Sequence, residues 1–437
     1  MNCLPCDQKY AIHYLRWMQT RIENLKGLAT LRLNDSENDF LAGESMDNWT
    51  VIENAFIEMN SGTISDFGSM TKCPSNNAGF KIIDGTGRFA MPAFIDSHTH
   101  LVYSNDRSEE FQMRMKGHSY KEIADSGGGI LNSSKLMKTS DESELLELLL
   151  QRLEKARENG TTAVEIKSGY GLTLETESKM LRVIQKAKSL VPQKLWSTFL
   201  GAHALPESFK GNHDAYVKEV CQKMLPFLVD NGLLDFVDIF CEKNYFTPAH
   251  LDQLSEAANK FSIPLKAHVN QFSSSGGLQA AIRNEAWSVD HLEFMTDKDH
   301  LDLQNAFKSK SSIKKPIPVA LPGCSLFLDI PYTEGRKIID ANLPLAIASD
   351  CNPGSAPSSN LSLCWSLACH KMKLTPKEGL AALTSNAAYA VGAEKIMGNI
   401  SVGMQANLIL TKPISGIAFM PYAFGENNIE RTFIAGR

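Results

Sequence analysis

What most constrains the fold is a long alternation, in the middle of the chain, of short apolar runs with amphipathic segments of three-to-four spacing. Eight strand-like runs are read there: Ala93–His100, Thr161–Lys167, Trp196–His203, Leu234–Glu242, Pro264–Asn270, Ser288–Glu293, Ile317–Leu321 and Pro344–Asp350. Helical periodicity intervenes over Glu142–Asn159, Glu175–Leu190, Ala215–Val229, Pro248–Phe261 and Glu334–Ala341, and follows the last run over Pro376–Ala390. Strands separated by crossover helices pair in parallel, and eight such units close most naturally into a (β/α)₈ TIM barrel. The chemistry of such a barrel sits at the carboxyl ends of its strands. Six of the eight runs end in a charged residue or His, so these ends are the candidate site as a set.

A chain of 437 residues exceeds one ordinary core, which leaves sequence for a second domain. Residues 92–394 are assigned to the barrel. Residues 25–91 and 395–437 carry short β-type runs between Gly, Ser and Asn clusters, such as Trp49–Glu58, Gly79–Asp84, Ala406–Thr411 and Arg431–Gly436. They are expected to join as one small β-sandwich-like domain built from both termini. Residues 1–24 read as a poorly ordered extension, with Met18 an alternative start of the folded part.

The composition, 43% hydrophobic and 21% charged, is that of a globular protein. A net charge of -5 offers no basic excess for phosphates, which argues against nucleic acid and for a small solute. Nine scattered cysteines suit reduced thiols, and Cys3-x-x-Cys6 has no second pair with zinc spacing. No apolar run is long enough to span a membrane and no secretion signal is read, so a cytoplasmic protein without a membrane partner is expected.

His98 and His100 stand two residues apart on the first strand, so both imidazoles project from one side of it. His268, His291 and Asp350 lie at or near the ends of the fifth, sixth and eighth strands. Imidazole and carboxylate donors of this kind suit Zn²⁺ or non-haem iron, with a position left for water.

His-x-His on strand one, His on strands five and six and Asp on strand eight resembles the amidohydrolase superfamily. Within it, Ser126-Gly-Gly-Gly-Ile130, Glu165-Ile-Lys-Ser-Gly-Tyr-Gly-Leu172, Phe199-Leu-Gly-Ala-His-Ala-Leu-Pro206, Val289-Asp-His-Leu-Glu293 and Ser349-Asp-Cys-Asn-Pro-Gly-Ser355 are similar to the imidazolonepropionase family. These segments span most of residues 92–356. The resemblance implies an amidohydrolase-type barrel in which His98, His100, His268 and Asp350 hold one zinc or iron ion per chain. It places His291 beside the bound water, and Arg107, Tyr170, His203, Gln271, Asn352, Gly354 and Ser355 against substrate or product. His291, Asp350 and Gln271 would take part in the chemistry, and Tyr120 would be a further wall residue. The reaction implied is hydrolysis of 4-imidazolone-5-propanoate to N-formimidoyl-L-glutamate in histidine degradation, by a homodimer.

Gln271 stands where some family members have Glu, though an amide can still hydrogen-bond substrate or water. Cys351 and Asn407 stand where Phe and Asp are frequent. Some superfamily members bridge two metals with a carboxylated lysine, usually from strand four; here that strand ends Phe240-Cys-Glu242 and Lys167 is on strand two, so one metal and an unmodified Lys167 are expected. Blander roles exist beside these. Arg107 could be a surface cation within Asn-Asp-Arg-Ser-Glu-Glu, Tyr170 could merely cover the barrel mouth, and Glu242 suits a structural hydrogen bond. His13, His118, His213, His250, His300 and His370 fall outside the strand ends and suit solvated or helix-end positions. Two other functions fit the same barrel: a purine-type aminohydrolase, against which the Gly-Tyr-Gly and Asn-Pro-Gly-Ser motifs argue, and a non-catalytic assembly module, against which the intact ligand set argues.

Overall fold

The β-type runs ahead of the barrel form β1 (Gln19–Leu31), β2 (Trp49–Asn60), β3 (Thr63–Ser69), β4 (Phe80–Asp84) and β5 (Phe89–Pro92). The structure, a computed structural model, describes residues 19–31, 39–118, 122, 128–309 and 314–437. Eight strands follow: β6 (Phe94–Thr99), β7 (Thr161–Lys167), β8 (Lys194–Ala202), β9 (Phe236–Cys241), β10 (Leu265–Val269), β11 (Ser288–His291), β12 (Ile317–Ala320) and β13 (Ala346–Ile347). The chain ends with β14 (Leu408–Thr411) and β15 (Ile429–Phe433).

Strands β6 to β13 pair in sequence order, each parallel to the next, and every one overlaps an expected run. The ring closes at the carboxyl ends, where Asp350 N–H donates to His98 O at 3.0 Å and His100 N–H donates to Cys351 O at 2.9 Å. The helices cover it as their periodicity requires: Leu145, Leu149 and Leu153 of helix Glu142–Glu158 join Val164 and Ile166 of β7 in one core.

The remaining strands form one seven-stranded sheet, ordered β15-β14-β5-β1-β2-β3 with β4 paired to β1, so both ends of the chain share a layer. Ile22, Leu25, Leu28, Ile57, Leu408 and Phe433 are its core. Residues 19–24, expected in a loose extension, instead begin β1, where Thr20 pairs with Met59 and Gln19 with Phe80. The polar look of this stretch misleads because Arg21 is buried and satisfied, donating from Nε to Glu58 at 2.8 Å and from Nη1 to the Asn77 side chain at 2.6 Å. The rest of that extension, Cys3, Cys6, His13 and Met18 included, and likewise Tyr120 and Ser126-Gly127, lie outside the described residues.

Two expected helices are interrupted. Pro376–Ala390 divides at Thr384 (φ -126°, ψ -85°) into Pro376–Leu383 and Ser385–Ala390, the Thr384 hydroxyl donating back to Leu380 O at 2.7 Å. Ala215–Val229 contains a wide turn over Val220–Met224 just before Pro226, whose missing N–H and bulky ring do not fit a regular ladder. Among the described residues no helix is long and apolar enough to cross a membrane, and all seven cysteines are free thiols.

Candidate metal centre and substrate site

His98 is the penultimate residue of β6 and His100 follows its end, two residues on and in the same phase, while His268 is the penultimate residue of β10, so three imidazoles reach the barrel mouth. Alternation would turn His291 away, because Asp290 before it already points inward and meets His98. A left-handed backbone at His291 (φ 86°) reverses it, and Asp350 (φ 54°) is held in the same region. Such conformations cost about 1–3 kcal/mol in residues other than glycine, and two candidate site residues are among the described positions that adopt them.

The result is a cluster of buried donors. The His98 and His268 ring centroids are 4.4 Å apart, and those of His268 and His291 are 5.4 Å apart. Asp350 Oδ1 lies 3.6 Å from His98 Nε2 and 3.5 Å from His100 Nε2. Within each of two groups, His98 with His268 and His291, and His98 with His100 and Asp350, the donor atoms all fall within 4.8 Å of one another.

Two of these groups, His98 and His100, are held in the neutral form a cation needs. Burial holds the pKa of His98 and His100 well below the usual value, helped by Lys167 beside the first and His203 beside the second. Asp290 takes His98 Nδ1 at 2.6 Å and Asp238 takes His268 Nδ1 at 3.0 Å, which leaves each Nε2 lone pair free to face the cluster. His98 Nε2 is buried without a hydrogen-bond partner. For His291 burial works downward, but Glu293 Oε1, 3.2 Å from Nδ1, carries its pKa above the usual value. The donor set fits a divalent cation.

Beneath the cluster lies a layer of charges, of which the sequence singles out Lys167 alone. Glu165 and Lys167 of β7, Asp238 of β9, Lys266 of β10 and Asp290 of β11 are all fully buried in the barrel interior. Burial alone would strip the Lys167 proton, but Asp238, Glu165 and Asp290 raise its pKa far above the lysine range. The available signal was phase: Glu165 and Lys167, and Lys266 and His268, are two apart and so share the inward face.

The mouth gathers most of the remaining candidates. Arg107 donates from Nε and Nη2 to Ser133 Oγ at 3.2 and 2.9 Å, and lies 3.7 Å from Glu110. Ser133, on helix Gly129–Thr139, carried no sequence signal. Gly354 abuts the Arg107 guanidinium. Tyr170 is buried, its ring 6.0 Å from that of His100 and 5.6 Å from that of His203, and burial raises its phenol pKa. His203 stacks on His100 with centroids 5.4 Å apart; burial takes its pKa down to about 3. Its Nδ1 faces Gly169 O at 2.9 Å, and a carbonyl can only accept, so the neutral ring carries its proton there and offers Nε2 as an acceptor.

Gln271 is buried and donates to Cys324 Sγ at 3.4 Å. Asn352 uses its side chain within its own loop: Nδ2 donates to Asp350 O and Ser355 Oγ, while Oδ1 accepts from the backbones of Gly354 and Ser355. Ser355 Oγ is 3.4 Å from Asp350 Oδ2. Glu242 is structural, accepting from the backbones of Phe272 and Ser273. His250 pairs with Asp214 at 2.9 Å and His300 with Glu334 at 2.8 Å, both on helices away from the cluster.

A model of the amidohydrolase family matches residues 89–437. The imidazolonepropionase of Christiangramia forsetii is 46% identical over 422 residues, 96% of this chain and 100% of that protein. The imidazolonepropionase of Geobacillus kaustophilus is 36% identical over 401 residues, covering 91% and 92%. Among solved structures, E. coli guanine deaminase superposes with a TM-score of 0.69 at 13% identity, covering 96% of this chain and 98% of that one. An adenosine deaminase from Xanthomonas campestris with bound zinc superposes at 0.64 and 14% identity, covering 96% and 92%. At those identities the two deaminases speak to the fold alone.

Proposed function

The chain belongs to the amidohydrolase family and, within it, to the imidazolonepropionases, and on that premise we propose how its own residues divide the work of opening 4-imidazolone-5-propanoate. The reaction is hydrolysis of a C–N bond of a cyclic amide, giving N-formimidoyl-L-glutamate in histidine degradation. The observation that carries the site reading is the convergence of His98, His100, His268 and Asp350 donors beside a mouth lined by Arg107, Tyr170 and His203.

His98, His100, His268 and Asp350 hold one zinc or iron ion. When bound, such an ion supplies Lewis acidity and can bring the pKa of water from 15.7 to about 7. Asp350 turns Oδ1 toward His98 and His100, which leaves its second oxygen to take the proton that the attacking water sheds. That proton is then available to the ring nitrogen as the C–N bond opens. His291, its Nδ1 engaged by Glu293, directs Nε2 to the ring carbonyl and donates a hydrogen bond as negative charge develops on oxygen.

Recognition of the rest of the substrate falls to neutral and cationic groups in turn. His203 Nε2 accepts from a ring N–H, and the Tyr170 phenol, kept protonated by burial, closes the ring face. The Arg107 fork, steadied by Ser133, holds the propanoate carboxylate. Gln271, with its amide N–H on Cys324, turns its oxygen toward the substrate. Asn352, Gly354 and Ser355 shape the wall through their own turn. The described cysteines are all free thiols, which suits a reducing cytoplasm, and a homodimer acting on a small molecule, without membrane or nucleic acid, belongs to the same proposal.

Elemental analysis of the purified protein, run beside an ultraviolet assay of imidazolone propanoate consumption, tests metal and substrate together. About one zinc or iron per chain with activity is expected. Ammonia release from a purine, without action on imidazolone propanoate, overturns the reading.

A further inference from the structure

The charge layer beneath the metal centre has a hub. Lys167 Nζ lies 2.7 Å from Asp238 Oδ2, 2.9 Å from Glu165 Oε1 and 3.8 Å from Asp290 Oδ2, and all four side chains are 0% exposed. The same Asp238 oxygen is 3.0 Å from His268 Nδ1, and the same Asp290 oxygen is 2.6 Å from His98 Nδ1. One ammonium therefore reaches the outer partners of two histidines that come from β10 and β6.

We propose that Lys167 is a positioning residue that couples the orientations of His98 and His268, so that the two imidazoles are set as a unit. The inference rests on the reading of both histidines as metal ligands. Each Asp fixes its own imidazole, and imidazole orientation governs metal affinity. Two carboxylates in a dry interior repel each other and would drift apart, each taking its histidine with it. Lys167 pairs with Asp238 at 2.7 Å and stands 3.8 Å from Asp290, so its charge draws both carboxylates toward one point. Its chain is fully buried, so its position is fixed by packing as well as by charge. Lys266 duplicates it only in part: its charge bears on Asp290, but its ammonium donates to Ser97 O at 2.8 Å and its one ion pair is with Glu165 at 3.9 Å, so it does not bridge Asp238 to Asp290. The same cage disfavours a carbamate on this lysine, which would add an anion among three carboxylates.

The sign of the effect on metal binding separates positioning from bulk electrostatics. A cation near a cation repels it, so deleting the Lys167 charge should tighten zinc if charge were all that mattered. Positioning predicts the opposite. Zinc affinity is measured on the full chain by competition with a chromophoric chelator, with thermal melting as the check on folding. Lys167→Met should weaken zinc by about 10- to 100-fold. So should Glu165→Gln/Lys167→Met, which removes one buried anion with the cation and carries the test should the single variant fail to fold. Asp238→Asn should also weaken zinc, but by less in the Lys167→Met background than in the wild type, because the coupling is already lost and only the direct bond to His268 Nδ1 remains to be removed.

Zinc bound as tightly as or more tightly than in the wild type by Glu165→Gln/Lys167→Met overturns the proposal, as does full additivity of the Lys167 and Asp238 effects. His98→Ala and His268→Ala tell this failure from failure of the ligand reading. If they abolish zinc binding while the lysine variants keep it, only the coupling is wrong; if they keep zinc, the ligand assignment falls and the coupling with it.

Discussion

Gly354 and the Arg107 guanidinium occupy adjoining space, and a Cβ on Gly354 would collide with Arg107 Nη1. The glycine is required for room, since its backbone is not left-handed. Gly354→Ala should therefore act through Arg107. Displacing a charge-assisted contact of about 1.5–3 kcal/mol predicts roughly a 10- to 150-fold loss in kcat/KM. In an Arg107→Met background the alanine should add little. Steady-state kinetics on the two single variants and the double variant check this, and additive losses would show that Gly354 has a separate role.

The metal ligands and His291 should part company under mutation. His98→Ala or Asp350→Ala should remove both metal and activity. His291→Ala should keep the metal and lose on the order of 10²- to 10⁴-fold in rate, the usual contribution of a general acid or base. Because the His291 donors sit as close to His98 and His268 as a ligand would, metal content of this variant is the deciding measurement.

Glu293 sets the pH at which His291 titrates. Burial pulls that imidazole's pKa down and Glu293 pulls it up, with the net above the usual value. Glu293→Gln removes the upward pull, so the inflection in kcat/KM assigned to His291 should move to lower pH. A profile that stays in place would assign the inflection to another group.

The loop bearing Tyr170 hangs on one buried carboxylate. Glu177 accepts from the backbone N–H groups of Gly169, Gly171 and Leu172 at 3.0, 2.7 and 2.8 Å. Glu177→Ala leaves three buried donors without an acceptor, at about 1–3 kcal/mol each, so a loss of about 3 kcal/mol or more is expected in chemical unfolding. Zinc content should be unchanged, since none of the proposed ligands touches this loop's carboxylate.

The sequence revealed the strand ends more readily than the strand interiors. His98, His100, His268 and Asp350 interrupt apolar runs at their ends, where a polar residue is conspicuous and where a barrel places its site. Asp238 and Lys266 were less visible because a single charge within an apolar strand gains meaning only from partners on other strands; Asp238 meets Lys167 of β7 and His268 of β10. Ser133 reads as an ordinary helix residue until the fold brings Arg107 to it across 26 residues. His291 was found by its motif, whereas strand alternation points it the wrong way; only the left-handed backbone restores it. The first residues of β1 are hidden in the sequence because Arg21 looks solvated there and is paired in the fold.

The barrel's seam gives the ion a second consequence. β13 is two residues long, and apart from the single Thr99–Cys351 bridge it meets β6 through a few contacts around His98, His100 and Asp350. Asp96 and Ser349, also joined across it, are 253 residues apart in the chain. Two proposed ligands lie on one lip of that seam and a third on the other, so an ion shared among them rivets the first stave of the barrel to the last. A cross-link spanning so long a loop removes much of the freedom of the open chain. An ion held there would be a hoop fastening as well as a reagent, and its removal should show first as faster hydrogen exchange at the amides of His100 and Asp350, while the sheet built from the two ends of the chain remains protected.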